Sequence, residues 1–236
     1  MVGDGDSLYV GALAILATGL VVGLVNGISS SYLRMPAFLV TLATMTMASG
    51  LALTVSGGGS ITGLPEALFE FGTNKVGPIS IPVIVMFGAF IAGHLLLSKT
   101  VFGRKVYAVG GNPEAARVAG IHVNRIICAT FLLSGLAVGI ASIVLTARFD
   151  SYNASLGDGY EFTAIAAVVI GGTSLYGGRG TMAGTLLGVL MLGVINNSLN
   201  LLAVSPFYQD VVRGGIIFLA VLLDALRTRY EGRFVG

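Results

Sequence analysis

Charge is scarce in this chain, and its scarcity excludes more than any single motif establishes. Asp, Glu, Lys and Arg make up 10% of the 236 residues, against roughly a quarter in an average soluble domain. With 55% hydrophobic residues and a mean hydropathy of +0.90, the chain carries more apolar surface than a water-soluble core could use. The formal charge of +2 is too small to point to nucleic acid. Cysteine is nearly absent as well: Cys128 stands alone in an apolar run, so no disulfide closes within the chain and the residue reads as small and buried. One thiol and two distant histidines, His94 and His122, cannot assemble a metal cluster or a redox pair. The opening MVGDGDS lacks the basic stretch and cleavage site of a signal peptide, so membrane entry must use a retained span. A phosphate cradle is missing too. In GGTSLYGGRG, Gly172 and Gly177 have the spacing of G-x-x-x-x-G-K-[ST], but Gly178 and Arg179 follow. Any ATP hydrolysis that drives this chain belongs to a partner.

What is present is a series of apolar runs. With roughly 20 apolar residues needed per bilayer crossing, spans are expected near Leu8 to Ser30, Pro36 to Val55, Ile81 to Leu97, Ile126 to Ala147, Gly184 to Val204 and Val211 to Leu226. A seventh piece, Phe162 to Tyr176, runs into the glycine-rich segment and reads as a short, tilted or re-entrant helix. The expected fold is an all-α, polytopic membrane bundle of about six to seven spans.

If the seventh piece crosses, the loops alternate sides and the charges separate. One side receives Arg34, Lys99, Arg104, Lys105, Arg117, Arg125, Arg179, Arg227, Arg229 and Arg233, ten of the 13 basic residues. The other keeps Lys75, Arg148 and Arg213 with Asp4, Asp6, Glu66, Glu70, Asp150, Asp158, Glu161 and Asp210. Positive residues concentrate on the cytoplasmic side. Residues 98–125 and the C-terminus are therefore expected in the cytoplasm, and the N-terminus and residues 148–161 outside.

Many of the 35 glycines fall four apart. Gly19, Gly23 and Gly27 are expected to line one helix face, and Gly180, Gly184 and Gly188 another, with Gly135 and Gly139 as a further pair. Between helices in lipid no hydrophobic drive operates, and small residues allow close backbone packing. Each glycine-striped helix precedes a proline, Pro36 or Pro206, and another span, a hint of a duplicated unit.

Between two apolar runs lies a polar island, GRKVYAVGGNPEAARVAGIHVNR, at 103–125. Asn112, Pro113 and Glu114 read as N-cap, first helical residue and first-turn acid, and Gly120 as the terminating glycine. A helix of about two turns is too short to stand alone in water and needs a surface. Ala115, Ala116, Val118 and Ala119 are small enough to enter a groove, either on the chain's own bundle or on a cytoplasmic partner.

These residues, together with GYEFTAIAAVVIGGTSLYGGRGTMAGTLLGVLMLGVINNSLNLL at 159–202, closely resemble the permeases of bacterial ABC sugar importers of the ribose, xylose, arabinose and galactoside type. The resemblance runs from about Gly23 to Leu226. It implies an inner-membrane subunit that pairs with a second permease copy, two cytoplasmic ATPase subunits carrying the ATP, and an extracytoplasmic sugar-binding protein. It also implies that Gly110, Gly111, Asn112, Glu114, Ala115, Ala116, Arg117 and Gly120 form the coupling loop on the ATPase. Permeases of this type carry further upstream spans, so residues 1–236 are expected to be a single permease domain that is N-terminally incomplete.

For the solute path, Asn196, Asn197, Ser198 and Asn200 are amides and a hydroxyl in an apolar helix, where an unsatisfied polar group is costly. They read either as interhelical glue or as pathway lining. Thr41, Thr44 and Thr46 are expected to bond their own helix backbone. Asp224 is expected to reach the interface or pair with Arg227. The outer segment RFDSYNASLGDGYE receives a binding protein or is a solvated loop. Two other classes remain: an intramembrane hydrolase built on His94 and Ser98, which lack any accompanying glycine and serine motif, and a passive channel. Related permeases also carry nucleosides and branched-chain amino acids, so residue types alone leave the cargo open.

Overall fold

The computed structural model describes residues 4–62, 66–149 and 151–232. Asp150 and Arg233, counted above, lie outside the described residues. The element order is α1 (Asp4–Ser31), α2 (Ala37–Ser56), β1 (Ile61–Thr62), α3 (Glu66–Thr73), β2 (Lys75–Val76), β3 (Ile79–Ser80), α4 (Ile81–Lys99), α5 (Val101–Gly111), α6 (Pro113–Val118), α7 (Val123–Arg148), β4 (Ser151–Tyr152), α8 (Tyr160–Ile170), α9 (Met182–Leu201) and α10 (Pro206–Gly232). The chain is a helical membrane bundle. Among the described residues, five helices are long and apolar enough to cross a bilayer: Tyr9–Ser31, Ala37–Ser56, Ile81–Lys99, Val123–Arg148 and Met182–Leu201. The sixth expected span falls inside α10, a 27-residue helix that also carries Arg213 and Asp224. Phe162 to Tyr176 resolves into α8 of 11 residues, about 16 Å at 1.5 Å per residue, and a loop.

The described chain forms two compact units. In the first, residues 1–91 and 117–157, α1 and α7 share the most extensive contact, and glycine is the reason. A Cβ on Gly19 would fall on the carbonyl oxygen of Gly135, and one on Gly135 on that of Gly19. At Gly23 it would lie 2.6 Å from the Phe131 carbonyl oxygen, and at Gly27 3.1 Å from Cys128. The two backbones touch along about two helical turns, which only hydrogen side chains permit. The short α3, absent from the sequence reading, closes on α7 through Gly72, where a side chain would enter the Ala147 backbone. Strand β1 pairs antiparallel with β4, Ile61 opposite Tyr152, tying the segment after α2 to the segment after α7.

In the second unit, residues 92–116 and 158–236, α8 packs against α9 through Gly171 and Gly184, each of whose added Cβ would strike the other's carbonyl oxygen. Gly188 sits likewise on the Ala167 carbonyl oxygen. Gly180 departs from the expectation: α9 begins at Met182, and Gly180 lies before it at φ 153°, enclosed by the Thr173 side chain. Thr181 takes over the helix start as N-cap, its Oγ1 accepting from the Gly184 N–H at 3.1 Å. The core is Ala166, Ala167 and Leu192, with Ile170, Val189, Ile195, Ile216 and Ile217 around them.

Large apolar side chains elsewhere point outward: Phe38 is 70% exposed, Val55 85% and Val194 66%. At about 25 cal/mol per Å2 of apolar area such faces are untenable in water, and they suit lipid or a neighbouring subunit.

Candidate coupling surface and solute groove

The polar island folds as two helices, where the sequence reading expects one. The first, α5, starts at an N-cap: Thr100 Oγ1 accepts from the Gly103 N–H at 3.1 Å. Gly103 permits the corner, because any side chain there would occupy the Leu97 carbonyl oxygen. The overlooked signal was the apolar spacing of Phe102, Val106 and Val109, three to four apart, with Arg104 and Lys105 between the first two. The end of α5 rests on the glycine-rich loop. Tyr107 donates its hydroxyl to the Gly180 carbonyl at 2.8 Å. A Cβ on Gly110 would lie 2.7 Å from the Gly178 nitrogen, and one on Gly178 2.7 Å from the Gly111 Cα. Gly177 and Gly178 adopt φ 90° and 75°, a backbone region open essentially to glycine.

Next comes α6, with its ends as expected. Asn112 Oδ1 accepts from the Ala115 N–H at 2.9 Å, satisfying a donor that a helix start leaves orphaned. Glu114 stands in the first turn and Arg117 in the last, each favourably placed in the helix dipole. Gly120 at φ 80° ends the segment, its N–H donating to the Arg117 carbonyl at 3.0 Å. One detail differs: Ala116 is buried, at 4% exposure, so it faces the protein and does not join the outward face. Gly111, Asn112, Glu114, Ala115, Arg117 and Val118 remain exposed, Val118 at 90%.

The loop that receives α5 is itself anchored. Ser174 donates its N–H to the Arg179 carbonyl at 3.1 Å, closing the loop on itself, and Leu175 donates its N–H to Asp224 Oδ2 on α10 at 3.1 Å. Asp224 thus has a partner the sequence reading did not foresee, a backbone amide 49 residues upstream.

A groove in the first unit, apolar over most of its lining, carries several polar groups. A cavity of about 690 Å3 runs along α1, α2 and α7, with Thr18, Asn26, Thr41, Ser134, Ser142 and Thr146 among its lining residues. Asn26 is only 8% exposed. Its Oδ1 lies 2.9 Å from Thr44 Oγ1, which is also 3.0 Å from the Thr41 carbonyl, so one hydroxyl proton serves two acceptors. Thr41 and Thr46 bond their own helix through the Phe38 and Leu42 carbonyls at 3.0 Å. Asn26 was legible by the argument applied to the α9 amides: an amide between Gly23 and Gly27 in an apolar helix needs a partner or a wet cavity.

The α9 amides divide. Asn200 Oδ1 accepts from Gln209 Nε2 at 3.0 Å, across the turn into α10, which is the interhelical role. Asn196 is half-buried and Asn197 exposed; none of the three lines the groove. Ser98 Oγ donates to the backbone carbonyl of His94 at 2.6 Å, so its proton is directed away from the imidazole that a hydrolase would need. In the segment 148–161, Asn153 Oδ1 accepts from Ser155 N–H and Oγ at 3.0 and 2.9 Å, a turn beside the β1 and β4 pair.

Residues 1–221 match the family described as the branched-chain amino acid transport system / permease component. The chain is 48% identical over 245 residues to the ribose import permease protein RbsC of Bacillus subtilis (strain 168), a match covering 93% of this chain and 76% of the relative. It is 42% identical over 228 residues to RbsC of Escherichia coli (strain K12), covering 95% and 71%. With the L-arabinose ABC transporter permease protein AraH of Azospirillum brasilense it shares 41% over 221 residues, covering 94% and 65%. No solved structure matches.

Proposed function

The chain belongs to the permease family of branched-chain amino acid and sugar transport systems, and from that premise we propose that it is the membrane subunit of an ATP-driven importer for a monosaccharide or a similar small neutral polyol. Alternating access is coupled to ATPase subunits on the cytoplasmic side, and a second permease copy and an extracytoplasmic binding protein complete the assembly. ATP is held by the partner, and this chain performs no chemistry on its solute.

The contact of Gly110 and Gly111 with Gly177 and Gly178 carries the reading. It supplies a stiff path from an exposed capped helix into the bundle. A push on α6 passes through α5 to the 171–180 loop, which continues into α8 and α9 and is bonded to α10 through Asp224. Close backbone contact of this kind transmits displacement, because no side-chain rotamers intervene to absorb it. The same contacts favour the expected orientation. The loop bearing Arg179 lies against α5, and the Asp224 end of α10 lies against that loop, so the island and the C-terminus share a side, the side where basic residues concentrate.

The groove supports the solute class. Its polar lining is hydroxyl and amide, without a charged group among the lining residues. A neutral polyol can exchange hydrogen bonds there and leave again, whereas the carboxylate and ammonium of an amino acid would be stranded without counter-charges. Polyol import is therefore favoured over branched-chain amino acid import.

The test is a reconstituted complex with Glu114→Lys or Gly120→Leu. Both variants are expected to lose ligand-stimulated ATP turnover and uptake together; survival of both activities removes the docking role. Copurification separates a passive channel, which brings down no cytoplasmic ATPase.

A further inference from the structure

We propose that the pocket formed by Tyr32, Arg34, Arg117, His122 and Arg125 binds the phosphate of an anionic phospholipid headgroup, in the leaflet that α6 faces. The pocket has a volume of about 580 Å3, and three of its nine lining residues are arginines while none is acidic. Guanidinium groups present paired donors that match phosphate oxygens.

Three further observations converge on the same chemistry. Arg34 has a left-handed backbone, φ 56°, a conformation unfavourable for a residue with a Cβ. The turn that imposes it, with Leu33 N–H bonded to the Ile28 carbonyl and Met35 N–H to that of Ser29, brings Arg34 into the pocket wall. The 26-residue α7 also begins here, and His122 at its N-cap provides no side-chain acceptor, so the positive end of a long helix dipole lies at the pocket without a side-chain cap. The third observation is depth. The span Tyr9–Ser31 ends one residue before Tyr32, and the span Val123–Arg148 starts one residue after His122, which sets the pocket at headgroup level. Tyr32, Leu33 and Met35 are 52%, 65% and 49% exposed beside it, an apolar surface for the acyl chains below a seated phosphate, with Tyr32 typical of the interface.

An acidic side chain of a cytoplasmic partner would suit the arginines too, but the opening lies between the ends of two membrane-crossing helices, where lipid is the standing neighbour. Each basic residue near an anionic leaflet contributes about fivefold in lipid affinity, so removing Arg34 and Arg125 together lowers it about 25-fold if the two act independently. The inference needs α1 and α7 to cross the bilayer, and it is independent of the solute.

The experiment measures phosphatidylglycerol and phosphatidylcholine retained by the full chain, with its accompanying subunits, in native mass spectrometry from mild detergent. Wild type is expected to retain phosphatidylglycerol preferentially, the Arg34→Gln/Arg125→Gln double variant to lose that preference with unchanged helix content by circular dichroism, and Arg34→Lys/Arg125→Lys to keep most of it. Equal retention of both lipids by wild type, or undiminished phosphatidylglycerol on the glutamine variant, overturns the proposal. Thermal stabilisation of wild type by inorganic phosphate equal to that by phosphatidylglycerol would reassign the site to a free anion, and loss of the ATPase with phosphatidylglycerol unchanged would reassign it to a protein partner. Either overturns the lipid as ligand.

Discussion

Asp224 on α10 and Leu175 in the glycine-rich loop are joined by a hydrogen bond of 3.1 Å from the Leu175 N–H to the Asp224 carboxylate. Together with the Ser174 to Arg179 closure and the Tyr107 hydroxyl on the Gly180 carbonyl, this bond holds a loop whose glycines adopt left-handed backbone conformations. A hydrogen bond to a charged acceptor contributes about 1.5–3 kcal/mol, less where water competes. Asp224→Ala is expected to lower stability by about 1 kcal/mol and to raise hydrogen exchange across 172–179, read by mass spectrometry. Asp224→Asn retains an acceptor oxygen and is expected to fall between the two.

At the other end of the same loop the contact is steric. Gly110→Val places methyl groups where the Gly178 nitrogen lies. The two backbones must separate, costing about 1–3 kcal/mol of overpacking. Uptake coupled to ATP turnover is expected to drop by at least about tenfold, while ATPase copurification persists because α6 itself is untouched. Transport and pull-down on the same preparation check both.

Asn112→Ala removes the side-chain N-cap of α6. Loss of an N-cap costs about 1 kcal/mol, more than a six-residue helix can supply from within. Amide exchange at 113–118 is expected to accelerate and coupling to weaken, with Asn112→Asp close to wild type in both.

The helix seam offers a prediction with its own control. Gly19→Leu or Gly135→Leu drives a side chain into the facing backbone and is expected to destabilise the protein by about 1–3 kcal/mol in a detergent thermal scan. Gly11→Ala and Gly88→Ala, on helices where an added Cβ meets nothing within 4 Å, are expected to be neutral or slightly stabilising.

Asn26→Leu should separate stability from transport. Thr44 still donates to the Thr41 carbonyl when the amide is gone, so stability is expected to change by less than about 1 kcal/mol. Uptake is expected to fall, with KM raised, if the groove conducts the solute. Unchanged uptake kinetics would remove the groove from the path.

Legibility followed the range of the interactions involved. The spans were readable because each is fixed by its own composition: Pro36 to Val55 and α2, or Ile126 to Ala147 and α7, differ by at most three residues at either end. The α6 caps were readable for the same reason, since Asn112, Glu114 and Gly120 act within a turn or two of themselves. By contrast α5 was overlooked, because its apolar stripe is short and the two basic residues inside it resemble loop. Gly180 was assigned to a helix by its spacing to Gly184 and Gly188, although Thr181, one residue on, supplies the N-cap that starts α9 there.

By itself the sequence determined that this is a lipid-embedded helical permease with a capped polar helix between spans, since hydropathy and capping depend on neighbours a few residues apart. Only the tertiary structure decided that Gly110 meets Gly178, that Asp224 serves Leu175, that Asn26 lines a cavity, and that Arg34 and Arg125 share a pocket. Those relations join residues far apart in the chain, and they are set by which helix faces can approach closely enough to touch, a property of packed pairs that no single helix encodes.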